Sequence, residues 1–180
     1  TLLEEMNNEG CAYMALTNTI FAQYVGREDE FEIDFGFPMY DKKGYLNYDL
    51  VMVDFYCSEG EIDGKKYGLT FDSGEERWEH YLESKGIKCD VVLYVDVTLE
   101  NFEELSKHGD IIVAIRPVRL TLKNGNKIPP QNSGHEMVIT GVEFINGKKM
   151  FKVSTWGYEL YLDPDDFEKK DRLEYRQIIY

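Results

Sequence analysis

The chain has 180 residues, 43% hydrophobic and 14% aromatic with 13 Tyr and 10 Phe, enough to bury a core without disulfides or metals and too apolar for low-complexity disorder. With 20 basic and 34 acidic residues its formal charge is −14, which argues against nucleic acid and anionic membrane surfaces, since both reward Lys and Arg. No apolar run approaches the roughly 18 residues of a membrane span. No secretory leader is visible, and the sequence begins at Thr1 without an initiator methionine, so we expect a single domain, 1–180, excised from a longer chain.

Residues 10–24 read as a helix. Ala12, Leu16 and Ile20 mark one stripe and Cys11, Ala15 and Ala22 another, with little charge on any side; this predicts a central buried helix with Cys11 at its head. The acidic stretch REDEFEID (27–34) reads as a solvated surface loop. Leu46, Leu50, Val53 and Cys57 recur at i, i+4, i+7 and i+11, which predicts a second helix with Cys57 on its buried face. SGEERWEHYLESKG predicts a third, with Ser73 and Glu76 as a capping box and Gly86 as its stop.

Alternation through Ile87, Cys89, Val91, Leu93 and Val95 predicts a strand with Cys89 facing inward. Thr98 is placed to cap a short helix that ends at Gly109, and DIIVAIRPV follows as a strand that Pro117 ends or makes an edge. LKNGNKIPPQNSG carries every breaker signal and reads as a loop. EMVITGVEF and KMFKVST are strands joined across Asn146-Gly147, the strongest short hairpin signal. YELYL is one more strand, Asp163 caps a helix with Pro164 at its first position, and Tyr175–Tyr180 closes the chain as a strand. Helices first and antiparallel strands later give an α+β class.

Three cysteines, Cys11, Cys57 and Cys89, are too few and too odd in number for a disulfide framework and suit thiols in a reducing compartment. No pair has zinc-ligand spacing, the Gly60–Gly64–Lys65 stretch is one residue short of a phosphate loop, and a cap accounts for LDPDDFEKKD without calcium. A thiol nucleophile needs a base. His80 and His108 lie on charged helices and read as surface residues, whereas His135 opens a strand directly after a long loop, where a sheet often presents functional groups.

A two-residue turn at Asn146-Gly147 makes paired positions sum to 293, so Met137 faces Trp156 and Ile139 faces Ser154. In that register Ser154 and Trp156 share the face of His135. Ser154 then lies four residues from position 158, the one opposite His135 (293 − 135 = 158; 158 − 154 = 4), so a pairing between them calls for a bulge or a longer turn.

Cys11 heading a helix, Gly134-His135 opening a strand, and Ser154-Thr155-Trp156-Gly157 on the return strand together resemble the papain-like cysteine peptidase superfamily. GHEMVITGV and GKKMFKVSTWGYELYLDPDDF are most similar to its compact bacterial members, the papain-fold effector or toxin domains and the bacteriocin-processing relatives. The resemblance spans roughly Gly10 to Phe167. It implies a papain-like fold, a central helix packed on a C-terminal antiparallel sheet, and a Cys11–His135 dyad in which the helix N-terminus and the imidazole favour the thiolate. It further implies Ser154 as third member, Trp156 shielding the pair and contacting substrate, and an amide for the oxyanion hole. The family has Asn or Asp where this chain has Ser154, and Gln where it has Glu5; an ionised Glu donates no hydrogen bond, so the amide falls to Asn7 or, preferably, Asn8.

The implied activity is cysteine-dependent acyl transfer with no cofactor, most simply hydrolysis of a peptide or isopeptide bond. Deamidation or transglutamination of a Gln side chain uses the same thioester. A contrasting reading is an inactive acidic module that binds a protein. Expected partners are a protein or peptide substrate and a cognate inhibitor or immunity protein, not nucleic acid or membrane. The expected setting is a secreted or delivered bacterial effector domain acting in a reducing compartment.

Overall fold

The computed structural model describes residues 2–58, 61–62, 65–66, 74–155 and 157–180, without the side chains of 2–9, 61–62 and 65–66. Helices come first and an antiparallel sheet later, as the α+β reading expects. The chain divides into two compact units, 1–91 with Tyr180, and 92–179. Among the described residues no helix is long and apolar enough to cross a membrane.

The first unit is built from α1 (Leu2–Gln23), α2 (Glu28–Phe35), α3 (Tyr48–Ser58) and α4 (Gly74–Ser84), with a two-residue antiparallel ladder between β1 (Glu61–Ile62) and β2 (Lys65–Lys66). The middle of α1 is buried nearly all round: Tyr13, Ala15, Leu16, Thr17, Thr19, Ile20 and Phe21 all lie inside, whereas Ala22 is exposed. Thr17 and Thr19 survive there because each hydroxyl donates to a carbonyl of the preceding turn, those of Tyr13 and Leu16, at 2.7 Å.

REDEFEID is not a loop but most of α2. Glu28, Asp29 and Glu30 occupy its first turn, where a helix N-terminus welcomes negative charge. Phe31 and Phe35, one turn apart, stack at 4.3 Å on the buried side, and Gly36 closes the helix at φ 81°, its N–H donating to Glu32 O. Charge density pointed to solvent, but the two phenylalanines decide the outcome.

Helix α3 has the expected period and the opposite phase. Leu50 and Val53 are 44% and 38% exposed and Cys57 is exposed, while Val51, Met52 and Phe55 are buried. Phe55 sets that phase, since its ring meets Tyr13 at 4.8 Å, Trp78 at 5.0 Å and Tyr81 at 5.1 Å. In α4, Trp78, Tyr81 and Leu82 face inward and Gly86 at φ 75° forms the stop. The Ser73 capping position lies outside the described residues. Tyr180 completes the unit: its hydroxyl lies 2.5 Å from Thr19 Oγ1 and accepts from Trp78 Nε1 at 2.9 Å.

The strand expected from Ile87 onward is hydrogen-bonded only as β3 (Asp90–Val92), ended by Tyr94 at φ 55°. The alternation itself holds in burial, with Cys89 inside.

In the second unit, the short α5 (Phe102–Ser106) begins later than the cap expected at Thr98, with Asn101 as its N-cap; Asn101 N–H donates to Thr98 Oγ1 and Thr98 N–H to Asn101 Oδ1, closing the turn before it. The six-stranded sheet runs β3-β8-β4-β5-β6-β7, with β8-β4, β4-β5, β5-β6 and β6-β7 antiparallel, from β4 (Asp110–Arg116), β5 (His135–Ile145), β6 (Lys148–Thr155), β7 (Tyr158–Leu162) and β8 (Arg172–Ile179). Strand β4 ends before Pro117 and lies between β8 and β5, buried on both faces, which is why it reads as a continuous apolar run.

One face carries the core: Ile111, Val113, Ile115, Met137, Ile139, Phe151, Val153 and Tyr175, covered by Phe102 at 5.9 Å from Phe151. Buried Gln177 donates to Leu105 O at the end of α5, at 2.7 Å. Asn146 and Gly147, at φ 48° and 80°, make the expected tight turn of the β5–β6 hairpin. Asp163 caps a 3-10 turn, Pro164–Asp166, accepting from Asp165 N–H at 3.0 Å.

Candidate functional site

Cys11 sits at the tenth position of α1 rather than at its head. Asn7, Asn8 and Gly10 are weak helix formers, so the sequence suggests a later start than the backbone takes. The consequence is electrostatic. The dipole field and the unpaired N–H groups of a helix are confined to its first turn, and Cys11 lies beyond it. The thiol is half-buried. Asn8, proposed for the oxyanion hole, is helical in backbone only as far as the structure describes it, and Trp156 lies outside the described residues.

The histidine belongs to the second unit. His135 is the first residue of β5, paired with Ile115 of β4, and only 6% exposed. Its Nε2 lies 2.5 Å from Thr155 Oγ1, a residue 7% exposed at the end of β6. Ser154 is not its partner. From Ile145↔Lys148 to Gly141↔Lys152 the hairpin keeps pairs that sum to 293, as the turn requires. The register then shifts at Thr140, so that Ile139 faces Val153 and Val138 faces Ser154. This β-bulge moves every later residue of β6 to the other side relative to β5. Ser154 shares the face of Val138, and Thr155 takes the face of Met137 and His135.

Burial pushes the His135 imidazole down from 6.5 to about 4, so the ring is neutral at neutral pH. The unfolded chain has no such burial. Between pH 6.5 and 4 it therefore binds a proton that the folded chain refuses, and stability falls as pH drops through that window. Urea unfolding at pH 7 and pH 4 should show wild type losing roughly 2–3 kcal/mol more than His135→Gln, which does not titrate. Equal losses in the two proteins would mean that His135 is not held neutral by burial.

The remaining thiols have different chemistry. Cys89 is buried and raised to about 12, first by burial and then by the carboxylates of Glu79 and Asp90, so it is a poor nucleophile. Cys57 is exposed on α3, which corrects its expected place in the core. His80 and His108 are exposed, as expected. A groove of about 430 Å³ in the first unit is lined by Glu76, Glu79, Glu83 and Asp90 together with His80, Ile87, Lys88 and Cys89.

The sequence reading chose His135 as the candidate base and Ser154 as its neighbour, whereas the structure puts Thr155 beside it. Its one signal was the four-residue mismatch between Ser154 and the position opposite His135, which already required a bulge. Comparison with known proteins gives no matching family model, no matching curated protein and no matching solved structure.

Proposed function

We propose that the chain is a cysteine-dependent acyl-transfer enzyme of papain-like type, with Cys11 as nucleophile and His135 as base. The observation that carries this reading is the hydrogen bond that fixes His135 at the start of β5 through Thr155. A base held by a third group is what thiol activation needs. The chain order, thiol on a helix, then imidazole, then hydroxyl on the return strand, agrees with it.

In this mechanism His135 starts neutral and takes the thiol proton, leaving a thiolate and an imidazolium. The sulfur adds to a carbonyl carbon of a peptide or isopeptide bond. The tetrahedral intermediate expels the amine, which leaves with the His135 proton, and a thioester remains. Water, its proton taken by His135, adds to the thioester; the carboxylic acid departs and the thiolate recovers the proton. A Gln side-chain amide undergoes the same steps with ammonia as leaving group, which is deamidation. Because Cys11 lies beyond the first turn of α1, the helix contributes little, and proton removal falls to His135, which burial makes a weaker base than a solvated imidazole.

The expected result is selective alkylation. Iodoacetamide should label Cys11 faster than exposed Cys57 below pH 8, with Cys89 slowest, and His135→Ala should remove the Cys11 advantage. A Cys11 rate at or below that of Cys57, or one indifferent to His135, defeats the enzyme reading.

A second reading has its own observation. The groove of Glu76, Glu79, Glu83 and Asp90, which outnumber the Lys88 and His80 that also line it, suits an inactive module that binds a basic protein segment. That reading takes over if Cys11 proves unreactive.

A further inference from the structure

We propose that Phe35, Asp54 and Tyr81 form a binding site for a primary alkylammonium group, and that the chain fills this site with its own Lys85. The site lies within the first unit, with one wall each from α2, α3 and α4. It involves neither Cys11 nor His135 and is independent of the acyl-transfer reading.

Phe35 and Tyr81 are both buried, with ring centroids 6.4 Å apart and planes tilted by 59°. Lys85 Nζ lies 5.3 Å from one centroid and 5.1 Å from the other, inside the roughly 6 Å over which a ring face attracts a cation. Asp54 Oδ2 closes the third side at 2.7 Å. The same oxygen accepts the Tyr81 hydroxyl at 2.7 Å, so the carboxylate is held in place by a group other than the cation. Lys85 follows the last residue of α4, where the helix dipole also favours positive charge. Its side chain is 17% exposed and that of Asp54 39%, so the site meets solvent on the carboxylate side.

The ligand class follows from these three walls. An ammonium presents N–H donors and no acceptor. A primary one gives Asp54 a hydrogen bond and turns the rest of its charge to the two rings. A quaternary one reaches the rings but has no hydrogen for Asp54. A neutral alcohol of the same shape loses the attraction of both the rings and the carboxylate. The fitting group is a primary ammonium on an unbranched alkyl stem, which is a lysine side chain. While Lys85 stays in place, it keeps any other lysine out.

The test is urea unfolding of the full chain at neutral pH. Lys85→Ala should lower the midpoint, and n-propylammonium chloride, which replaces the deleted atoms, should raise it again in a saturable way. Tetramethylammonium should raise it less. n-Propanol, or sodium chloride at the same ionic strength, should not. Wild type and Lys85→Met, in which a side chain still fills the space, should not respond to n-propylammonium. If Lys85→Ala does not fold alone, folding on addition of n-propylammonium is the same supporting result. Asp54→Asn in the Lys85→Ala background should erase the preference for the primary over the quaternary ion. Absence of rescue, equal rescue by n-propanol or by salt, a wild type that responds as strongly as Lys85→Ala, or a preference that survives Asp54→Asn overturns the proposal.

Discussion

Trp78→Ala should destabilise the protein by about 3–5 kcal/mol, the range for emptying a buried indole site. Trp78 is 0% exposed, meets Phe55 edge-on at 5.0 Å and Tyr81 at 5.3 Å, and donates its N–H to the Tyr180 hydroxyl at 2.9 Å. The substitution removes the anchor on which α3, α4 and the last residue of the chain converge. Urea unfolding reads the loss directly. Trp78→Phe separates its components: it keeps a ring against Phe55 and Tyr81 and deletes the donor, so about 1 kcal/mol should go with the hydrogen bond and the rest with lost volume. A Trp78→Ala loss below about 1 kcal/mol would show that the site collapses and that the aromatic cluster is not the core of the first unit.

Arg176→Met should cost about 3 kcal/mol or more, and for a different reason. The guanidinium donates to Glu136 Oε1 at 2.9 Å, with the two side chains 8% and 16% exposed, and reaches Glu174 at 3.4 Å. Arg176 on β8 pairs with Ile112 and Glu136 on β5 pairs with Ala114, so the ion pair crosses β4 diagonally. Removing the cation takes from Glu136 a close partner that offsets its burial, and the cost is mostly that loss. The double variant Arg176→Met/Glu136→Leu should therefore recover most of the stability. If the double variant is no better than the single one, the arginine matters for its packing and not for its charge.

What the sequence made legible was decided by neighbours in the chain. Asn146-Gly147 and the stop at Gly86 are each fixed by a few adjacent residues and sit where expected, whereas the helix expected after Asp163 is a single 3-10 turn and the helix expected from Thr98 begins only at Phe102. What it hid depends on partners far along the chain. Period identifies α3 as a helix, but only Tyr13 and Trp78 choose between the Leu50 side and the Phe55 side. Nothing local announces that REDEFEID will bury Phe31 and Phe35. The candidate site divides in the same way. His135 stands out as a candidate because it opens a strand after a loop, whereas Thr155 could not be preferred to Ser154 as its neighbour without the register. The position of Cys11 within α1 was hidden by residues whose weak propensity does not stop the helix.

The bulge at Thr140 has a last consequence, best put in terms of phase. On β5 the odd residues His135, Met137 and Ile139 line the core-bearing face, and after Thr140 the even residue Val142 continues it. The strand is thus two messages joined out of frame, each internally regular. Any rule that assigns inside and outside by parity along the whole strand is correct for one half and inverted for the other. Thr140 acts as a one-letter insertion in a code that reads letters in pairs, and it decides which of two adjacent hydroxyl residues the histidine meets.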